Sequence, residues 1–210
     1  MRYIKKTLAP KFLEEFKQNF RLKTGQEPTY KTLGGIKYHK YKDKLKDHLL
    51  YEQRNLCCYC MKSIDHENCH IEHFKPQSKF PDLTLDYGNM MLSCNGITNH
   101  YENCGHKKAD WYEEEVTISP LDSDCEKNFN YTIDGRILPN NPDAKETIEV
   151  LELDSYLLQR ARQTAIEYSG FFEEDIDETK EELIRFYKTP SRGKLPPFCT
   201  AMIYCLEHFL

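Results

Sequence analysis

The chain has 210 residues, of which 39% are hydrophobic and 12% aromatic, enough apolar material for a packed core. No apolar run approaches the roughly 20 residues that span a bilayer, and the N-terminal MRYIKKTLAPKF lacks the apolar core of a signal peptide. These features argue against a membrane protein and favour a cytoplasmic one. The net charge of −5 is unevenly spread: +8 in residues 1–50, −2 in 51–110 and −11 in 111–210. Such asymmetry is typical of a nucleic-acid face beside an acidic face, although two solvated helical surfaces would give the same pattern.

Two helices are predicted in the basic N-terminal region. The first begins at Pro10 and runs to about Leu22, with three phenylalanines at four-residue spacing that favour a core face over a base-stacking platform. Residues 25–35 are predicted to form a loop. The second helix covers residues 37–54, and one of its faces carries four lysines.

The remaining elements are predicted from turn residues and periodicity. Residues 86–94 are expected to form a turn followed by a short strand or helix, and residues 129–138 a hairpin around Asp134-Gly135. A long helical segment is predicted from about residue 144 to 187, with an interruption near Gly170. A last helix over residues 198–210 is apolar on most sides, which predicts that it is buried or bound to a partner.

Four cysteines have the spacing of a zinc site. Cys57-x-x-Cys60 allows both sulfurs to face one tetrahedral ion, and Cys94 and Cys104 supply a second pair. The nine residues between Cys94 and Cys104 exceed the usual gap, but they are polar and could loop out. The alternatives are buried free thiols, Cys58 as a ligand in the first pair, or His100 of the insert as a ligand. The other cysteines resemble ordinary core or surface thiols.

Between the two cysteine pairs lies the dipeptide Glu72-His73. Phosphodiester hydrolysis needs an activated water and a cation on the phosphate. A neutral His can accept the proton of the water near pH 7, and an adjacent carboxylate can hold Mg²⁺. If His70–His73 ends a strand, His70 and Glu72 point to one face and His73 to the other. A Glu-His dipeptide is common and by itself does not indicate an active site. The cysteine pairs on either side of this one are the reason to consider it a site.

The order Cys-x-x-Cys, Glu-His, Asn89 in DYGNMMLSC and then CGHKK resembles the HNH endonuclease family and its ββα-metal fold. The run from LCCYC through HIEHFKP to CGHKK, about residues 50–112, more closely resembles the PtuB proteins of Septu anti-phage systems, which also occur as retron effectors. The resemblance implies an α+β protein with a ββα-metal core and a structural zinc, embedded in N- and C-terminal helices. Its expected parts are a basic helical region (1–54), the HNH core (55–112) and a hairpin with helices (113–210).

The resemblance also implies a role for each matching residue. His73 is expected to be the general base, and Asn89 to tie the loop that positions it. Glu72 and His106 are expected to hold the catalytic Mg²⁺ or Mn²⁺, with His70 as a candidate third ligand. The four cysteines of the two pairs are expected to bind structural Zn²⁺. The stretched second pair and the Gly between Cys104 and His106 depart from the commonest pattern of the family. Lys107 and Lys108 are expected to meet backbone phosphate.

The residues and the resemblance together predict a metal-dependent HNH nuclease with DNA favoured over RNA as substrate, and the resemblance implies that it serves an anti-phage defence system. The resemblance implies an ABC-type ATPase of the PtuA kind as partner, and a retron reverse transcriptase with its msDNA reached through that ATPase. The alternative is a zinc-stabilised adaptor that binds nucleic acid or protein without chemistry. A redox role for Cys57-x-x-Cys60 is disfavoured because no thioredoxin-like βαβ pattern surrounds it.

Overall fold

A computed structural model describes residues 1–96, 102–169 and 179–209. The first predicted helix is confirmed as α1, Lys11–Thr24, which follows Pro10 and ends at Gly25 in the left-handed conformation (φ 67°). Its phenylalanines face the protein: the Phe16 ring lies 5.3 Å from that of Tyr38 and 5.3 Å from that of Tyr41. The aromatic stripe is therefore part of the core.

The second predicted helix is confirmed as α3, His39–Glu52. The expectation of a loop between the two helices was wrong in part, because residues Tyr30–Leu33 form a one-turn helix, α2. Its start is fixed by Thr29, whose side chain accepts a hydrogen bond from the backbone N–H of Thr32 while the Thr32 hydroxyl receives that of Thr29. This reciprocal cap is a helix-start signal that uses Thr in place of the usual Glu or Gln.

The middle of the chain forms a buried antiparallel strand pair, β1 (Cys69–His73) and β2 (Met90–Cys94). The register pairs His70 with Ser93, Glu72 with Met91 and His73 with Met90. A 3-10 turn over Tyr87–Asn89 precedes β2, as the prediction of a turn followed by a short strand requires. After the undescribed residues 97–101 comes α4, a single turn over Gly105–Lys108.

The predicted hairpin is confirmed as β3 (Phe129–Tyr131) and β4 (Ile137–Pro139), which pair antiparallel across the turn that contains Gly135. The predicted long helix was wrong. The chain instead forms α5 (Pro142–Val150), α6 (Tyr156–Glu167) and α7 (Lys180–Lys188). The break between α5 and α6 comes at Glu152, whose φ of 54° is left-handed. The interruption predicted near Gly170 lies outside the described residues.

The last predicted helix is confirmed as α8, Cys199–Phe209, and most of it is buried. It packs on α7 and β3, and Met202 and Cys205 are fully buried in the core. The two strand pairs are separate two-stranded sheets among helices, so the fold is of the mixed class that was predicted. Within the described ranges, no helix combines the length and the apolar character needed to cross a bilayer.

Candidate functional site: a sulfur cluster and a histidine–carboxylate cleft

The four cysteines of the two predicted pairs come together in one buried cluster. Their sulfur atoms all lie within 4.8 Å of one another. Cys57 and Cys60 come from the turn after α3, Cys94 ends β2, and Cys104 directly precedes α4. Four thiolates at such distances are a donor set that tetrahedral zinc takes, so the cluster could bind a metal. Cys58 is buried but lies outside this group, and His100 lies outside the described residues.

The polar surroundings of the cluster also suit a metal–thiolate site. The backbone N–H of Cys94 donates to the Cys57 sulfur at 3.3 Å, and the Asn103 amide donates to the Cys104 sulfur at 3.1 Å. Burial raises the pKa of the Cys104 thiol well above its usual range. Burial also opposes ionisation of Cys57, but hydrogen bonds from the neighbouring thiols outweigh it and hold the pKa of Cys57 well below its usual range. A bound cation would stabilise all four thiolates together.

Glu72 is held by groups on both of its oxygens. The buried carboxylate accepts the Tyr59 hydroxyl on Oε1 at 3.1 Å, and the same oxygen lies 3.1 Å from Lys108 Nζ. Its Oε2 lies 3.5 Å from His70 Nε2. Burial opposes the charge, but the hydrogen bond with His70 and the attraction of Lys108 outweigh it and lower the pKa of Glu72. The side chain is therefore a carboxylate near neutral pH, with Oε1 occupied by protein donors.

The expectation that Lys108 meets phosphate was wrong. Its side chain is only 1% exposed, and Nζ donates to the backbone oxygen of His73 at 3.1 Å besides pairing with Glu72. Lys107 differs, because its side chain is 45% exposed and forms a surface pair with Glu152 at 3.3 Å. Lys108 thus connects the two residues of the Glu-His dipeptide from the inside of the protein.

His70 and His106 lie on the side of Glu72 that carries Oε2. Their ring centroids are 4.4 Å apart, and His70 Nδ1 lies 3.0 Å from the Asn95 side-chain oxygen. A Cβ atom built on Gly105 would lie 2.5 Å from Glu72 Oε2 and 2.7 Å from His70 Nε2. The two donor atoms therefore converge over a residue that has no side chain. Within the described parts of the chain, however, only the four cysteines lie close enough to share an ion without rearrangement.

His73 is buried on the other side of the strand end. Its Nε2 lies 3.0 Å from the Thr84 carbonyl oxygen, so a neutral ring donates from Nε2 and keeps the Nδ1 lone pair free. The Tyr30 ring of α2 meets the imidazole edge-on, with centroids 4.7 Å apart. Burial lowers the pKa of His73 and keeps the ring neutral near pH 7.

Asn89 ties the segment after His73 to the loop before β2. Its side-chain oxygen accepts the Lys75 N–H at 2.7 Å, and its amide donates to the Lys75 and Leu83 carbonyl oxygens at 3.0 and 3.2 Å. The Phe74 N–H donates to the Asn89 backbone oxygen at 3.0 Å. These bonds fix the backbone on the C-terminal side of His73, while Lys108 fixes its carbonyl group.

A cleft of about 250 Å³ opens beside the Glu-His dipeptide. Its lining includes His70, Glu72, His73 and Gly105. A nucleophile, a base and a charged substrate group could meet there. Sequence reasoning missed two supporting residues, Tyr59 and Tyr30. Tyr59 carried a signal, because it lies inside the Cys57-x-x-Cys60 turn.

No family model matches the chain. Curated relatives do. The chain is 30% identical over 160 residues to the "Retron Vc95 putative HNH endonuclease" of Vibrio cholerae serotype O1 biovar El Tor, covering 71% of this chain and 77% of the relative. It is 29% identical over 207 residues to the "Retron Ec83 putative HNH endonuclease" of Escherichia coli, covering 78% of each. It is also 30% identical over 119 residues to the "Septu protein PtuB" of Bacillus thuringiensis, covering 54% of this chain but less than half (42%) of that protein.

Proposed function

Because this chain belongs to the PtuB-like HNH endonuclease family of retron and Septu systems, we propose that it is a metal-dependent nuclease of anti-phage defence that hydrolyses DNA phosphodiester bonds. The observation that carries the proposal is the histidine–carboxylate cleft. There a neutral His73, pinned through Nε2 to the Thr84 carbonyl, lies beside a carboxylate–histidine pair. The strand pair β1–β2 followed by α4 supports the assignment of a ββα-metal core to residues 55–112.

The base step falls to His73. With Nε2–H donated to Thr84, the Nδ1 lone pair accepts the proton of the attacking water, which is the role that a neutral imidazole performs near pH 7. The bonds of Asn89 to Lys75 and of Lys108 to the His73 carbonyl hold the backbone on which the ring stands. Such positioning matters because proton transfer requires the base within hydrogen-bond reach of the water.

Two candidate donors of a divalent ion, Glu72 Oε2 and His70 Nε2, converge over Gly105, and the His106 ring lies beside that of His70. These side chains would have to move closer together to share one ion. Glu72, His70 and His106 would hold Mg²⁺ or Mn²⁺, and a mixed set of imidazole and carboxylate donors favours Mn²⁺ more than Mg²⁺. When bound, the ion neutralises the phosphate and stabilises the leaving oxygen. Tyr59 and Lys108 occupy Oε1 of Glu72, so Oε2, which lies 3.5 Å from His70 Nε2, is the oxygen that would bind the ion. The cluster of Cys57, Cys60, Cys94 and Cys104 would hold a structural zinc.

The test compares the wild type with His73→Ala, each together with the product of its neighbouring gene. Both are assayed with Mg²⁺ or Mn²⁺ on plasmid DNA and on total RNA. Loss of a general base is expected to lower the cleavage rate by about 10²–10⁴-fold. The control is His66→Ala, because His66 lies on an exposed turn and its ring lies 3.9 Å from the Asp47 carboxylate, outside the cleft.

Cleavage that survives His73→Ala would overturn the proposed base. A wild type without cleavage in any combination would favour the alternative, a zinc-stabilised adaptor. Cleavage of RNA but not DNA would keep the reaction class and correct the substrate. Intact folding of His73→Ala is checked by circular dichroism, so that lost chemistry is distinguished from lost structure.

We further propose an ABC-type ATPase of the PtuA kind as partner and, through that ATPase, a retron reverse transcriptase with its msDNA. The supporting feature is a pair of exposed phenylalanines on two helices that pack together, Phe186 of α7 (56% exposed) and Phe209 of α8 (51% exposed). Apolar surface of this kind is typical of protein interfaces. Phe186→Asp is expected to abolish co-elution with the ATPase, whereas Tyr156→Asp, at a 69% exposed tyrosine elsewhere, retains it. A wild type that never co-elutes would end this proposal.

A further inference from the structure

The basic N-terminal region contacts the candidate base through α2. Tyr30, the first residue of α2, packs edge-on against the His73 ring at 4.7 Å. Lys42 of α3 places its ammonium group 5.1 Å from the centre of the same Tyr30 ring, within the range of a cation–π contact. The three side chains therefore form a continuous row from the base to a cation on α3.

Lys42 belongs to a group of lysines without counter-charges. Within residues 1–96, 102–169 and 179–209, no carboxylate lies within ion-pair distance of any lysine from residue 31 to residue 44. These five are Lys31, Lys37, Lys40, Lys42 and Lys44. Two other lysines of the basic region do have partners: Lys17 pairs with Glu14, and Lys46 donates to the His66 carbonyl oxygen. Unneutralised cations on adjacent elements form the electrostatic footprint of a polyanion-binding surface.

Lys42 differs from the other members of this group in its surroundings. The other four are exposed, whereas Lys42 is half-buried against Tyr30. An ammonium group that lies over an aromatic ring gives up part of its hydration without gaining a counter-ion. A nucleic-acid phosphate that entered the cleft toward His73 would supply that counter-ion.

We propose that Lys42 binds a backbone phosphate next to the one that is cleaved, and that Tyr30 is a positioning residue that sets the distance between this phosphate contact and His73. This proposal rests on the proposed function. In it, Lys42 is the part of the basic region that guides the nucleic-acid strand to His73. The contact is to phosphate and reads no sequence. The ligand is a DNA strand, whose negatively charged backbone would meet the Lys42 ammonium group as the strand enters the cleft.

Lys42 is tested by binding without cleavage. Each variant is made in the His73→Ala background, and its affinity for a short duplex is measured by fluorescence anisotropy without added divalent ion, from about 50 to about 200 mM salt. Lys42→Ala is expected to weaken binding and to reduce the slope of log K against log salt by about 0.9, the value for one phosphate contact. Lys42→Arg is expected to restore the slope.

The matched control is Lys44→Ala. Lys44 is exposed and lies two residues further along α3, so it projects from the opposite side of the helix. The expectation that one face of this helix carries all four lysines was therefore wrong. It is expected to leave the slope unchanged. An equal reduction by both variants, or none by Lys42→Ala, would overturn the proposed contact. Because cleavage is not measured, this result is separate from the test of His73 as the base.

Tyr30 is tested through turnover in the otherwise wild-type chain. Tyr30→Leu removes the ring that separates Lys42 from His73, whereas Tyr30→Phe keeps it. The Leu variant is expected to lower kcat by about tenfold or more, since misplaced reacting groups cost rate rather than binding, with the salt slope unchanged and Phe restoring kcat. Wild-type kcat in Tyr30→Leu, or a loss that Phe does not restore, would refute the positioning role.

Discussion

Replacing Lys108 with Met removes the counter-charge from a carboxylate that stays buried. The side chain of Lys108 is 1% exposed and that of Glu72 is 9% exposed, with Nζ and Oε1 3.1 Å apart. Met keeps most of the aliphatic volume, so the change reports charge and hydrogen bonding more than cavity formation. Breaking a buried pair in this way costs about 3–5 kcal/mol. That is a large share of the roughly 5–15 kcal/mol by which domains are stable.

The measurement is urea unfolding of the zinc-loaded protein at pH 7, extended to a double-mutant cycle with Glu72→Gln. If Lys108 and Glu72 stabilise the protein through each other, the double variant loses less free energy of unfolding than the two single variants lose in sum. The expected coupling is about 0.5–3 kcal/mol, the range for residues in direct contact. The double variant would leave an amide and a thioether in place of two charges, so no uncompensated charge remains buried.

Lys107→Met is the matched control, because it removes the neighbouring lysine of the same helical turn. The Lys107–Glu152 pair is nearly half exposed on both sides, and such surface pairs contribute about 0–1 kcal/mol. Equal losses for the two lysines would refute the assignment of Lys108 as an internal cation. Additive losses in the cycle would refute its pairing with Glu72.

Three further outcomes are expected. Gly105→Ala places a Cβ between the converging donors of the cleft, so cleavage falls while zinc content, measured by elemental analysis, stays unchanged. Cys60→Ser lowers both the zinc content and the unfolding midpoint, whereas Cys205→Ser, at a buried thiol outside the cluster, retains zinc. Gly135→Ala lowers stability by more than about 1 kcal/mol in thermal unfolding, because its φ of 84° is left-handed and its Cβ would strike the backbone of α6.

The elements that sequence predicted correctly carry strong local signals. The hairpin β3–β4 surrounds Asp134-Gly135, and α1 and α3 have regular apolar spacing. The close spacing of Cys57 and Cys60 likewise predicted that the two thiols share a site, and their sulfurs lie in one cluster that could bind a metal. In each case the residues that decide the structure are neighbours in sequence.

The predictions that were wrong concern features that depend on residues far apart in sequence. Neither Gly nor Pro marks the break between α5 and α6, which depends on Glu152 adopting a left-handed conformation that its own type disfavours. Lys108 was expected to meet phosphate because its sequence neighbours do not reveal its partner. Its partner is Glu72 on β1, and only the packing of α4 against that strand brings the two charges together.

The segment from Cys104 to Lys108 joins the sulfur cluster to the cleft. A four-residue helix is too short to be stable alone, so its position is set by its contacts. Cys104 contributes a sulfur to the cluster, the Gly105 N–H donates to the Ser93 hydroxyl at 3.0 Å, and His106 lies against His70. Lys108 closes the segment on Glu72. A group that fixes Cys104 therefore also fixes His106, a candidate metal ligand, and Lys108, the cation that pairs with the candidate ligand Glu72. It follows that a structural zinc here would be a condition for cleavage even though no reactive residue touches it.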